Sequence, residues 1–164
     1  ITKRLGENFR VIRVMPNTPA LVSEGAAGIA LAHNYTPDDA AVARTIFESI
    51  GVVEMVDESL IDAVTALSGS GPAYFFYMVE CLVGAAMQNG LTESQATRLA
   101  TQTLLGSGLL LRESGESAAT LRERVTSKGG TTEAALNSFR ASGIESIIAS
   151  GVNAAVARAK ELGQ

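Results

Sequence analysis

Strand and helix patterns alternate over the first 57 residues of this sequence, and after them only helical patterns occur. Short apolar, β-branched runs stand at residues 10–15, 26–32 and 52–56, with an amphipathic segment between the last two. Such alternation indicates part of an α/β sheet, and the later helices indicate an all-α region. We therefore place a domain boundary near residues 57–60, with domains at 1–57 and 58–164.

The helix predicted within "TPDDAAVARTIFESIG" (36–51) has clear start and stop signals. Thr36 is its expected N-cap, Pro37 its first helical residue, and Gly51 follows its end. Its apolar stripe is Val42, Ile46 and Ile50, with Phe47 beside it.

Helices with many small residues fill the rest of the chain. The first of these helices runs from Pro72 to Asn89-Gly90, and "TESQ" (92–95) starts a second, long helix. Ser117 caps a shorter third helix, and the last helix follows Gly143. A stripe of Ala96, Leu99, Ala100, Thr103, Leu104 and Leu110 marks the long helix. Interior Gly costs ~1 kcal/mol relative to Ala, which close helix contacts can offset. Because large core residues are few, we expect a partner chain to complete the core, as a homodimer. The small residues on apolar faces are Gly84, Ala85, Ala86, Gly106, Gly108, Gly151, Ala154 and Ala155.

Composition excludes several classes of function. A formal charge of −4 without a basic stripe argues against nucleic acid and anionic membranes as partners. No apolar run approaches ~20 residues, so no membrane span is expected. A single Cys81 fits a reducing, cytoplasmic compartment, and its apolar neighbours indicate an inert core thiol. His33 is interpreted as a surface residue; one His and one Cys far apart predict no metal site.

No complete phosphate-binding motif occurs in the sequence. It contains neither G-x-G-x-x-G between a strand and a helix nor G-x-x-x-x-G-K-[ST]. For "GSGPA" (69–73) we favour a helix start at which Gly and Ser permit tight packing.

The stretch "MPNTP", Met15 to Pro19, directly follows a predicted strand. Pro16 and Pro19 fix the backbone, while Asn17 and Thr18 offer polar side chains where ligands collect in open α/β sheets. A rigid strand-to-loop turn explains the same residues equally well.

The stretch "TSKGGTTEA" (126–134) sets hydroxyls around Gly129 and Gly130 at the start of a helix. Glycines let the backbone approach a ligand, and the first amides of a helix attract anions. Thr131 or Thr132 is also a good helix cap, so a plain cap is the more common explanation. Glu133 argues mildly against a phosphate, since it already complements the helix dipole.

The order of "VIRVMPNTPALVSEG", "DAVTALSGSGPAYFF" and "VTSKGGTTEAAL" resembles pyrroline-5-carboxylate reductase over essentially the whole chain. The resemblance implies the C-terminal part of that enzyme: an α/β remnant of a Rossmann domain followed by an all-α helical dimerisation domain. It implies hydride transfer from NADPH or NADH to the imine carbon of 1-pyrroline-5-carboxylate, which gives L-proline. The family's dinucleotide fingerprint precedes the point where this sequence begins, so this portion is expected to be inactive alone.

The resemblance also implies roles for individual residues. The loop from Ser127 to Thr132 would hold the substrate carboxylate, with Thr132 near the imine nitrogen to assist protonation. Glu113 and Glu58 are weaker substrate candidates, and "MPNTP" would lie near the nicotinamide. Lys128 stands where many members of the family have proline. The implied substrate-binding residues are Ser127, Gly129, Gly130, Thr131, Thr132, Glu113 and Glu58; the implied cofactor-binding residues are Met15, Pro16, Asn17, Thr18 and Pro19.

Two other hypotheses remain open on the sequence. One is an NAD(P)-dependent reductase of the same architecture acting on another small imino or keto acid. The other is a non-catalytic helical dimerisation module, in which the Gly/Thr loop is only a cap; L-proline binding separates this module from the enzymes.

Overall fold

The computed structural model describes Gly6, residues 9–31 and residues 34–163; His33 lies outside them. Residues 1–74 and 150–164 form one compact unit and residues 75–149 form another, and each is described by itself. The domain boundary between residues 57 and 58 rests on the sequence pattern and stays a prediction.

A three-stranded mixed sheet forms the α/β part, as the sequence predicts. Its strands are β1 (Ile12–Met15), β2 (Gly25–Leu31) and β3 (Gly51–Val56). The central β2 pairs antiparallel with β1 and parallel with β3. A 3-10 helix (Thr18–Val22) provides the tight return from β1 to β2.

The buried core of this unit centres on β2, where Ile29 and Ala30 are fully buried. A Cβ added to Gly28 would lie 2.6 Å from Val64 Cγ1, so the segment after β3 packs directly on the glycine backbone. Small residues in β2 therefore permit a close approach that a side chain would block.

Helix α1 (Pro37–Glu48) begins where its capping signals predict. Thr36 Oγ1 accepts from Asp39 N at 3.2 Å, and Thr36 N donates to Asp39 Oδ2 at 2.8 Å. These reciprocal bonds satisfy amides that an uncapped helix leaves unpaired.

The predicted apolar stripe of this segment is mostly exposed. Val42 and Ile46 are 60% and 57% exposed, whereas Ile50 is half-buried. Spacing correctly grouped these residues, but it cannot show whether the described chain supplies anything to cover them.

Three kinds of helical turn follow β3. They are a 3-10 turn (Glu58–Leu60), helix α2 (Ile61–Val64) and a π-helical turn (Thr65–Gly69). π-helical turns often occur at functional sites.

The remaining helices confirm the sequence-based assignment of an all-α region. Reciprocal bonds between Thr92 and Gln95 cap the long helix, and the Ser117 side chain caps the short one. The helices are α3 (Gly71–Gln88), α4 (Glu93–Ser114), α5 (Ala118–Arg124), α6 (Thr131–Ala141) and α7 (Ile144–Leu162). Among the described residues, no helix is long and apolar enough to cross a membrane.

Residues 75–149, all of which the structure describes, contain a single buried residue, Ala96. The predicted core assignment of Cys81 is therefore wrong, because this thiol is exposed on α3. Leu99 and Leu110 of the predicted α4 stripe are exposed as well. The apolar faces exist as predicted, but this unit does not cover them itself.

We predict an acid-sensitive contribution from the α1 cap. The backbone N–H and then the hydroxyl of Thr36 hold the pKa of Asp39 below its ordinary value. A carboxyl with a lowered pKa stabilises the fold above its unfolded pKa, and this contribution is lost as the pH falls through the folded value. Asp39→Asn should therefore lower Tm at neutral pH, with the difference from the parent shrinking in acid. Thermal unfolding across pH measures this, with Asp38→Asn as the control from the same helical turn; equal pH profiles for the two variants would contradict it.

Candidate functional site

The loop before α6 has two successive glycines, one in a left-handed backbone conformation and one packed against a side chain. Gly129 has a φ of +73°, in the left-handed region, and a Cβ on Gly130 would collide with Ser127 Oγ. Gly130 N donates to Ser127 O at 3.0 Å, which closes the turn. Thr126 Oγ1 donates to Arg122 O at 2.6 Å and holds the loop to the end of α5.

Helix α6 begins without a side-chain cap, and the predicted threonine cap is wrong. The N-cap is Gly130, so Thr131 and Thr132 occupy the first two helical positions. In the described part of the chain, the amides of Thr131, Thr132 and Glu133 have no hydrogen-bond acceptor. Unpaired amides at the positive end of a helix dipole favour a bound anion.

A carboxylate of the chain itself already touches this loop. Gly129 N donates to Glu133 Oε2 at 2.7 Å, and Glu133 is half-buried. The loop thus binds one carboxylate oxygen through a backbone amide.

Glu113 is not part of this hydrogen-bonded loop. Its side chain is 72% exposed and lies 3.7 Å from Arg112 Nη2. The acid that braces the segment before the loop is Glu116, whose Oε1 lies 2.6 Å from Arg124 Nη1. This pair was not predictable from sequence, because a spacing of eight residues between a loop and the end of the next helix matches no local pattern.

The second candidate stretch, Met15–Pro19, is held in place by the Asn17 side chain. Asn17 Oδ1 accepts from Ala26 N at 2.9 Å, and Nδ2 donates to Ser68 O at 3.0 Å. Asn17 thereby joins the start of β2 to the π-helical turn Thr65–Gly69. Neither partner was predictable from sequence, since each bond spans residues that no local motif connects.

Two further contacts bring neighbouring segments to this stretch. A Cβ on Gly69 would lie 2.5 Å from Met15 Cε, and Gly71 begins α3, so "GSGPA" contains the predicted helix start. Glu58 Oε1 lies 2.6 Å from Arg13 Nη1 on β1. Pro16 and Thr18 remain exposed beside the fixed Asn17. Hydrogen bonds from Asn17 therefore anchor the loop, and the side chains of Pro16 and Thr18 are exposed.

Among the described residues, no group of three or more His, Cys, Asp or Glu side chains could hold a metal ion.

A family model for pyrroline-5-carboxylate reductase dimerisation matches residues 58–162. The chain belongs to the pyrroline-5-carboxylate reductase family. The chain is similar to the reductase of Methanosarcina acetivorans, with 44% identity over 158 residues covering 96% of this chain and 58% of the relative. The reductase of Pseudomonas aeruginosa is 42% identical over 98% of this chain and 59% of the relative.

Solved structures of reductases agree with the fold. A pyrroline-5-carboxylate reductase from Coxiella burnetii matches with a TM-score of 0.94 and 41% identity, covering 98% of this chain and 60% of that one. The Plasmodium falciparum pyrroline carboxylate reductase, solved with NADP bound, matches with a TM-score of 0.92 and 31% identity, covering 99% and 66%. The chain therefore spans roughly 60% of the length of these reductases.

We predict that Asn17→Asp destabilises the α/β unit by about 1–3 kcal/mol, because a carboxylate cannot donate to Ser68 O and leaves it unpaired. The measurement is chemical unfolding of the full chain. Asn153→Asp, on the exposed surface of α7, is the matched control and should change little. Equal stability of the two variants would show that the bridge from Asn17 contributes nothing.

Proposed function

We propose that this chain is the substrate-binding and dimerisation portion of a pyrroline-5-carboxylate reductase, which reduces 1-pyrroline-5-carboxylate to L-proline. The observation that carries this proposal is the glycine loop before α6. There the first amides of the helix are unpaired, and no side chain caps them. The loop stands within the residues that match the family model.

The proposed role of the loop is to bind the substrate carboxylate. The N–H groups of Thr131 and Thr132 belong to the first turn of α6, and the Ser127 hydroxyl lies beside Gly130. An anion bound by several donors is fixed in direction as well as position, which orients the imine ring for reaction. We propose Ser127, Gly129, Gly130, Thr131 and Thr132 as this set.

Thr132 is the proposed catalytic residue. It is half-buried at the second position of α6, and its hydroxyl would hydrogen-bond the imine nitrogen and assist its protonation. A protonated C=N accepts hydride at carbon without a strong general base. The nitrogen gains the proton and the carbon gains the hydride, so the C=N double bond becomes the single bond of L-proline.

NADPH or NADH would supply the hydride when bound. We propose that Met15–Pro19 contacts the nicotinamide end: Asn17 is fixed by two hydrogen bonds, while the exposed Pro16 and Thr18 offer an apolar edge and a hydroxyl. The NADP in the Plasmodium falciparum structure supports a nicotinamide cofactor for this family. Because the sequence contains no G-x-G-x-x-G turn, we propose that the chain alone binds cofactor weakly and is inactive.

Glu58 and Glu113 are proposed as secondary substrate contacts. Glu58 forms an ion pair with Arg13 on the strand that leads to Met15, and Glu113 projects from the last turn of α4 with its side chain mostly exposed. We also propose residues 1–57 as the trailing part of the nucleotide domain, residues 58–164 as the helical domain, and a reducing, cytoplasmic location.

The proposed assembly is a homodimer built through the helical region. No described atom lies within 4 Å of a Cβ added to Gly84, Gly106 or Gly108. These glycines thus make no close contact inside the chain, although interior glycine weakens a helix. Phe75 and Phe76 are 59% and 58% exposed on α3. Large exposed apolar surfaces mark interfaces, and a second copy would bury both features.

We predict that Thr132→Ala, in the complete protein that contains these residues, lowers kcat/KM about tenfold. This is the order expected for one lost hydrogen bond to a charged or reacting group. Steady-state kinetics with pyrroline-5-carboxylate measure this, alongside Tm. Thr101→Ala on exposed α4 removes the same atoms and should leave kcat/KM unchanged. An unaltered kcat/KM for Thr132→Ala would contradict a substrate role for its hydroxyl.

The dimer proposal predicts the sign of substitutions at Gly106. If the chain were a monomer, Gly106→Ala and Gly106→Leu would both stabilise α4, by up to ~1 kcal/mol, because the site is open and glycine is a poor helix former. In a close interface, Leu forces the subunits apart, so Gly106→Leu should lower both the mass seen by light scattering and the unfolding midpoint. A monomer mass that does not depend on concentration in the parent chain would refute the dimer.

A further inference from the structure

Glu133 contacts the loop in an unusual way for an acid in the first turn of a helix. A glutamate at the third helical position commonly accepts from the N-cap amide. Here the N-cap amide, Gly130 N, already donates to Ser127 O at 3.0 Å. Glu133 Oε2 instead takes the next amide out, Gly129 N, at 2.7 Å.

This contact occupies a donor that the proposed function assigns to the substrate. With Gly130 N donating to Ser127 O, both glycine amides of the loop are engaged inside the chain. The amides of Thr131, Thr132 and Glu133 are the ones left without acceptors in this loop and the first turn of α6. A substrate carboxylate that uses Gly129 N must first displace Glu133, and it approaches an acid that already carries negative charge.

We propose that Glu133 is a tethered competitor of the substrate carboxylate: its own carboxylate occupies the Gly129 amide in the free protein and lowers the affinity of the loop for carboxylate ligands. This inference rests on the proposed function, since it concerns regulation of the same loop. An internal ligand held by its own backbone competes at every substrate concentration, so it raises KM without adding a partner.

A structural role for Glu133 predicts the opposite change in carboxylate affinity. If its carboxylate only held the loop in shape, removing it would loosen the loop and weaken carboxylate binding. The sign of the change in affinity therefore distinguishes a competitor from a brace.

The experiment compares the full chain with Glu133→Gln and Glu133→Ala, and measures L-proline binding by calorimetry or NMR titration. Gln can still accept from Gly129 N but is neutral, whereas Ala leaves the amide free. We expect affinity to rise in the order parent, Glu133→Gln, Glu133→Ala, with the last about three- to tenfold tighter than the parent, the range for the net contribution of one ordinary hydrogen bond. Thermal unfolding establishes that each variant is folded.

Two controls separate the carboxylate effect from a general change of charge. Glu145→Gln removes an acid from the first turn of α7 and should leave L-proline affinity unchanged. L-Prolinamide lacks the carboxylate, so its binding should not improve in either Glu133 variant.

The outcomes test the competitor role of Glu133 and the proposed carboxylate site separately. Parent binding with variants that bind equally or more weakly overturns the competitor and leaves the proposed function standing. Failure of the parent and both variants to bind L-proline overturns the carboxylate site itself, and the competitor with it. Binding by the variants that exceeds binding by the parent supports both.

Discussion

The main physical constraint on this chain is that its helical region lacks a core of its own. One buried residue among residues 75–149 cannot offset the conformational entropy lost when helices of this length become fixed. Stability must therefore come from burying the exposed apolar faces. The pyrroline-5-carboxylate reductase dimerisation model matches this same region, which agrees with the shortage of intrachain burial. The candidate loop lies inside the region, so its geometry depends on whatever covers those faces.

The glycines of the chain have two different physical roles. Gly28 is needed because the branched side chain of Val64 approaches the backbone too closely for a Cβ, whereas at Gly69 the nearest atom is the flexible end of Met15. Gly84 and Gly106 have open space around them, so nothing inside the chain explains their cost to the helix. The first group is explained by packing within one unit. The second group is explained by a neighbour that the chain does not itself supply, which is why composition alone already suggested a partner.

Local chemistry made much of the fold predictable, while non-local contacts were not. The caps at Thr36, Thr92 and Ser117 are encoded within four residues each, and the structure confirms all three. The α6 cap was mispredicted because threonine is a better cap than glycine in general, yet the turn closed by Gly130 shifts the helix start by one residue.

Burial and the tertiary contacts of the site could not be predicted from sequence, because both depend on non-local contacts. Helical spacing grouped Val42 with Ile46, but their exposure depends on which surfaces the described chain presents to them. The bonds from Asn17 to Ala26 and Ser68 join segments that are far apart in sequence. The loop at Ser127–Thr132 was identifiable because its glycines and hydroxyls are contiguous. Its engagement by Glu133 was only suggested by the position of that acid near the dipole.

The electrostatics of the loop favour a small carboxylate over a phosphate. Arg124, in the helix just before the loop, is paired with Glu116, so its charge is already balanced. Anion recognition there would rest mainly on backbone amides, whose partial charges suit one negative charge. A phosphate brings nearly two charges into a loop that Glu133 already approaches, which increases repulsion without adding donors. A displaced Glu133 stays beside the loop, so a ligand with one negative charge meets less repulsion there than a phosphate does.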